Sequence, residues 1–184
     1  MPDRHRGAAL RLAWARRQIA RGLSTWETPS IHTWDAWLTR QWREAVQRGA
    51  AAPALLLDTS QERALWEMAL EKLAEEGEGM ALTQHAAALM AAAQRAVQSG
   101  IDVARSAQGR EQELLAAALQ EVHRNCRSRG LLSLRLSNAD ALGFLAGVPA
   151  PLVVGAPRLG GLQAALAARF WPGEPVLAAD DGAA

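Results

Sequence analysis

The apolar positions of this chain recur mostly at helical spacing. Ala8, Leu12, Ala15 and Ile19 share one face of a predicted helix over 8–22, with Arg11, Arg16, Arg17 and Arg21 on the others. Gly22 supplies the stop. Thr28-Pro29 forces extended backbone before the proline, and Ser30-Ile31-His32-Thr33 reads as a short strand. Thr33 then caps a helix whose apolar stripe is Trp34, Trp37, Leu38, Gln41/Trp42 and Ala45, ended by the stretch from Gly49 to Pro53.

Leu55-Leu56-Leu57 is a short apolar run, either a strand or a packed loop. Thr59-Ser60-Gln61-Glu62 has the form of a capping box, with Thr59 as N-cap and Glu62 three residues on. The helix that follows is expected to bury Leu65, Trp66, Ala69, Leu70 and Leu73, and to end in the acidic, glycine-containing segment 75–79. Thr83 opens a further helix with Ala86, Leu89, Met90, Ala93 and Val97 on one face, closed by Ser99-Gly100. A long helix from about Arg110 to Arg129 turns Leu114, Leu115, Ala118, Leu119, Val122 and Cys126 inward and stops at Gly130. Asn138 is expected to cap a short helix through Ala146.

The last third changes character. Pro151-Leu152-Val153-Val154-Gly155 is a continuous apolar run bounded by turn residues, the pattern of a buried parallel strand. Gly160-Gly161 precedes a helix through about Phe170, and Pro175-Val176-Leu177-Ala178 repeats the strand pattern. Strand, helix and strand in this order make a right-handed βαβ unit. The predicted class is mostly α with a small parallel β-sheet, in which Ile31 and Val153 are expected to share one sheet. No internal repeat recurs at a fixed period.

Composition narrows the chemistry. The chain has 184 residues, near one ordinary domain, and a formal charge of +1 from 20 basic and 19 acidic residues. That balance is no strong argument for nucleic acid. Lys72 is the only lysine and Cys126 the only cysteine, so no disulfide forms within the chain. Cys126 sits on an apolar stripe and reads as a small core residue, not a nucleophile. No apolar run reaches the ~20 residues of a membrane span, and the N-terminus lacks the apolar core of a signal peptide, so no membrane association is expected and the cytoplasm is the expected compartment.

A phosphate-cradling loop needs Gly-x4-Gly-Lys-Ser/Thr, and Lys72 stands between Glu71 and Leu73, outside any such loop. A metal-dependent nuclease of the Glu-x-Lys type needs an acid where Leu70 stands. His5, His32, His85 and His123 are scattered, with no metal-ligand spacing. The glycine-rich turn 155–161 lacks the dinucleotide-binding pattern. No catalytic residue, metal or cofactor is therefore expected, and the chain reads as a non-enzyme. Asp35 reads as a favourable charge in a first helical turn, and Glu62 as a capping residue.

Six of the seven tryptophans precede residue 67. Their helical spacing favours a core role. Indole faces also stack on unpaired bases while arginines hold the backbone, and Thr33, Trp34, Arg40, Arg43, Arg16 and Arg17 are the candidate contacts for single-stranded DNA.

Arg11-Leu12-Ala13, Gly22-x3-Trp26-x-Thr28-Pro29-x-Ile31, Trp34-x-Ala36-Trp37-Leu38 and Trp42 stand in that order. Gln61-Glu62-x2-Leu65-Trp66-Glu67 and Leu152-Val153-Val154-Gly155 follow. This run resembles the N-terminal part of proteobacterial DNA repair proteins that look like helicase–nuclease subunits of the AddB and RecB type. The resemblance covers roughly 8–178. It implies a partial superfamily 1 helicase-like core, formed by residues 1–58 and 147–184, with 59–146 as an inserted helical subdomain. It places Ile31-His32-Thr33-Trp34 at the strand-to-helix turn that approaches single-stranded DNA. It further implies a non-catalytic fragment of a longer polypeptide whose nuclease lies downstream. The competing expectation is a helical protein-interaction module that docks on another subunit and binds no nucleic acid.

Overall fold

The structure is a computed structural model that describes residues 4–74, 83–151, 153–154, 159–172 and 177–178. The acidic segment 75–79 lies outside the described residues. Helices α1 (Arg4–Ala20), α2 (Trp34–Gln47), α3 (Thr59–Leu73), α4 (Ala86–Gln98), α5 (Val103–Ser106), α6 (Arg110–Arg129) and α7 (Gly161–Phe170) carry most of the described chain. Short 3-10 turns cover Leu134–Leu136 and Gly143–Leu145. The class is mostly helical with a small parallel sheet component, as the periodicity predicts.

Two apolar clusters hold the helices together. The first gathers Leu65, Trp66, Ala69 and Leu70 of α3, Ala86, Met90 and Ala93 of α4, and Ala118, Leu119, Val122 and Cys126 of α6. Trp66 is completely buried there. The second gathers Leu38 of α2, Leu142, Leu145 and Val148, and Leu162, Leu166 and Trp171 at α7. Val97, at the far end of α4, belongs to this second cluster, so α4 spans both. Leu73 departs from the predicted stripe and is 37% exposed, at the last residue of α3.

The ends of α4 and α7 meet backbone to backbone. A Cβ built on Gly161 would stand 2.0 Å from the Ser99 carbonyl oxygen, so only glycine permits this approach. At the other end of α7, the Trp171 indole N–H donates to the Val148 carbonyl at 2.6 Å. Gly130 closes α6 in the left-handed region at φ 63°, as its position predicts.

Strand β1 (Leu55–Leu56) pairs in parallel with β2 (Leu131–Leu132), Leu55 opposite Leu131. This resolves the Leu55–Leu57 run as a strand. Strand β3 (Val153–Val154) pairs in parallel with β4 (Leu177–Ala178), Val153 opposite Leu177, with α7 between them. The predicted βαβ order is present. The expected single sheet is not: the two pairs are separate sheets, and residues 30–33 join neither. Their backbone groups are used locally. The Ile31 N–H donates to the Pro29 carbonyl at 3.0 Å, and the Ile31 carbonyl accepts from the Arg11 guanidinium at 2.5 Å.

Three further expectations shift. The capping box of α3 sits one residue earlier. Asp58 Oδ1 accepts the Ser60 and Gln61 backbone N–H groups at 2.8 and 2.9 Å, and Gln61 Oε1 accepts the Asp58 N–H at 3.0 Å. The same spacing read from Asp58 releases Glu62 to the interior. Asn138 Oδ1 accepts from the Ala141 N–H at 3.0 Å. The chain then forms turns and a 3-10 segment, not a helix through Ala146, and Gly147 at φ 76° breaks any continuation. This path puts Leu142, Leu145 and Val148 into one cluster.

Helix α1 is the largest correction. It begins at Arg4, and the predicted core face points outward, with Leu12 53% and Ile19 61% exposed. Gln18 is the buried residue instead, at 3% exposure. No residue of α1 belongs to either apolar cluster.

Candidate nucleic-acid interface

Thr33 ends an extended stretch and caps α2, its Oγ1 accepting the Ala36 N–H at 3.3 Å. That bond commits the hydroxyl locally. Trp34 opens the helix and stacks on Trp37 with ring centroids 5.1 Å apart and planes 29° from parallel. Trp37 meets Trp171 edge-on at 6.0 Å. Both Trp34 and Trp37 are half-buried against the second cluster. Trp42, Trp66 and Trp171 are buried. The core role inferred from spacing therefore holds for Trp42 and Trp66, while Trp14 is 40% exposed.

Arg40 is held by its neighbours. Its Nε donates to Glu44 Oε1 at 2.7 Å and its Nη1 to Ser30 Oγ at 2.9 Å, and His32 Nε2 lies 3.4 Å away. Arg43, Arg16 and Arg17 are exposed. The structure thus does not gather the six candidates into one site. Thr33, Trp34 and Arg40 serve the start of α2 and the preceding loop, and Arg43 lies on the outer face of α2. Arg16 and Arg17 belong to α1, whose Arg11 ties it to Ile31.

Helix α1 has a charge character of its own. Residues 4–21 contain six arginines and no acid, against +1 for the whole chain, so the remaining residues sum to −5. Exposed arginines beside an exposed indole form a surface suited to a phosphate backbone and unpaired bases.

Several other titratable groups are engaged in contacts within the protein. Glu62, only 1% exposed, accepts the Ser133 hydroxyl at 2.5 Å and the Gln94 amide at 2.9 Å, with the Arg135 guanidinium at 3.8 Å. Burial pushes its carboxyl above the ordinary range. The bonds from Ser133 and Gln94 and the Arg135 charge oppose that rise, and Asp35 adds to it. Arg135 also donates to Thr59 Oγ1 at 2.7 Å and to Asp35 Oδ2 at 3.4 Å, joining the starts of α2 and α3. Glu62 is therefore a buried node and not a cap. Its place on the stripe with Trp66 and Ala69 is the signal that could have found it; nothing in the sequence marks Ser133, Gln94 or Arg135.

A depression of about 430 Å³ is lined by Met68, Glu71, Lys72, Glu121, Asn125 and Arg129. Lys72 donates to Glu121 at 2.8 Å, and Arg124 also reaches the Glu121 carboxylate. The Lys72 bond first, then the charges of Arg124 and Lys72, hold Glu121 below its usual range against the effect of burial. Burial raises the Cys126 thiol, with the Glu62 charge adding to it, so the thiolate is disfavoured. Burial likewise lowers His123, which lies 3.3 Å from the Leu136 carbonyl. Among the described residues, no three His, Cys, Asp or Glu side chains are grouped to hold a metal ion, and no helix is long and apolar enough to cross a membrane.

The chain matches no protein-family model, and neither the curated proteins nor the solved structures include a significant match to it.

Proposed function

We propose that this chain is a non-catalytic, helicase-like part of a DNA repair or recombination protein, acting as a scaffold and holding single-stranded DNA along α1. The observation that carries the reading is the acid-free α1, which exposes Arg16, Arg17 and Trp14 on one element. The ordered resemblance to helicase–nuclease subunits supplies the repair context. The fixed roles of Glu62, Glu121, Cys126 and His123 support a scaffold over an enzyme. Thr33, Trp34 and Arg40 are engaged at the start of α2 and the preceding loop and make no DNA contact in this reading.

The test is quenching of tryptophan fluorescence by oligo-dT at low salt. Quenching that weakens steeply with added salt is expected, because phosphate contacts release counterions. Folded protein with no quenching would remove the claim.

A further inference from the structure

We infer that the apolar edge of α1 is a docking surface for an acidic amphipathic helix of a protein partner. This goes beyond the nucleic-acid reading and does not depend on it. Leu12 and Ile19 are 53% and 61% exposed and stand seven residues apart, with Leu23, 47% exposed, just past the end of the helix. Residues seven apart lie on one seam along a helix, the repeat that a second helix matches, and Leu23 follows after Gly22 has turned the chain out of the helix. Among the described residues, nothing buries Leu12 or Ile19. Helix α1 instead buries Gln18, whose side-chain nitrogen is without a hydrogen-bond partner. A polar group inside and two large apolar groups outside on one helix is the reverse of what burial favours.

Charge selects the occupant. The seam runs through a stretch of six arginines and no acid over residues 4–21. A partner helix with apolar residues in the seam and carboxylates at its borders satisfies both features. Single-stranded DNA supplies the negative charge but no apolar ridge to cover Leu12 and Ile19. Outside α1 and Leu23, the exposed large apolar residues among those described, Leu55, Met68, Leu73 and Ile101, include no pair seven apart on one helix.

The experiment uses the full chain and a fluorescent synthetic helix of about three heptads with Leu at a and d and Glu elsewhere. Anisotropy should show binding that a scrambled peptide of the same composition loses by roughly tenfold or more, and that Leu12→Ser with Ile19→Ser also loses by roughly tenfold or more. Both changes are on exposed positions, so circular dichroism should show unchanged folding, and oligo-dT quenching should persist. No peptide binding, equal binding of the scrambled peptide, or full binding by the double variant overturns the inference. So does light scattering that finds a wild-type dimer broken by Ile19→Ser, which would give the seam to a second copy. Peptide binding without oligo-dT quenching removes the nucleic-acid reading alone.

Discussion

Ser133 donates its hydroxyl to Glu62 at 2.5 Å across 71 residues of sequence, inside a site where Glu62 is 1% exposed. This bond ties the segment after β2 to the first turn of α3. It sits beneath Arg135, which also reaches Asp35 of α2. The contact carries the association of the two regions beyond the β1–β2 pairing and into the first turn of α3.

Because burial raises the Glu62 pKa in the folded state, its contribution to stability is present below the unfolded value of 4.5 and is lost as pH rises through the folded value. Glu62→Gln keeps the shape and removes the charge. Its stability relative to wild type should therefore rise as pH is increased above 4.5, measured by urea melts at several pH values. Glu62→Ala leaves Ser133 and Gln94 without their acceptor and should cost about 1–3 kcal/mol. A pH-independent difference between wild type and Glu62→Gln would contradict this.

Gly161→Ala should destabilise by about 1–3 kcal/mol or more, because the added Cβ meets the Ser99 backbone at 2.0 Å. Gly143→Ala is the control, with nothing within 4 Å of its built Cβ. Equal thermal melts for the two variants would show that α4 and α7 do not meet as described.

Trp66 and Trp171 are both buried, yet only Trp171 has a partner for its indole N–H. Replacing each with Phe removes similar bulk. Trp66→Phe also removes an unsatisfied donor, whereas Trp171→Phe leaves the Val148 carbonyl unpaired. Trp66→Phe should therefore be the milder change by about 1–2 kcal/mol in denaturant melts.

Much of the helical layout was legible because it rests on local signals. Gly130, Thr33 and the α6 stripe from Leu114 to Cys126 act within a few residues, and the structure follows them. The Leu152–Gly155 and Pro175–Ala178 runs likewise identify the β3–β4 pair. What was not legible depends on long-range partners. The spacing of Leu12 and Ile19 specifies a seam but not which surface covers it. Residues 30–33 have strand composition but find side-chain partners, Arg11 and Arg40, before any strand. Glu62 satisfies a capping pattern that Asp58 and Gln61 satisfy better, so its interior role emerges only once Ser133 and Gln94 are brought to it. The candidate contacts divided for the same reason: proximity in sequence put Arg40 beside Trp34, but Glu44, Ser30 and His32 claimed its guanidinium.

Arg40→Ala should leave oligo-dT affinity nearly unchanged while loosening the Ser30–His32 loop, because Arg40 is already engaged. Paired fluorescence titrations and thermal melts check this. A large loss of affinity with unchanged stability would return Arg40 to the interface.

The most direct measurement is a salt series of oligo-dT titrations on wild type and on Arg16→Ala/Arg17→Ala, read by tryptophan fluorescence. The account predicts low-salt quenching dominated by Trp14, and a salt slope reduced by roughly 1.4 in the double variant, about 0.7 for each lost phosphate contact. Quenching absent from folded wild-type protein, or a slope identical in the two proteins, would contradict it.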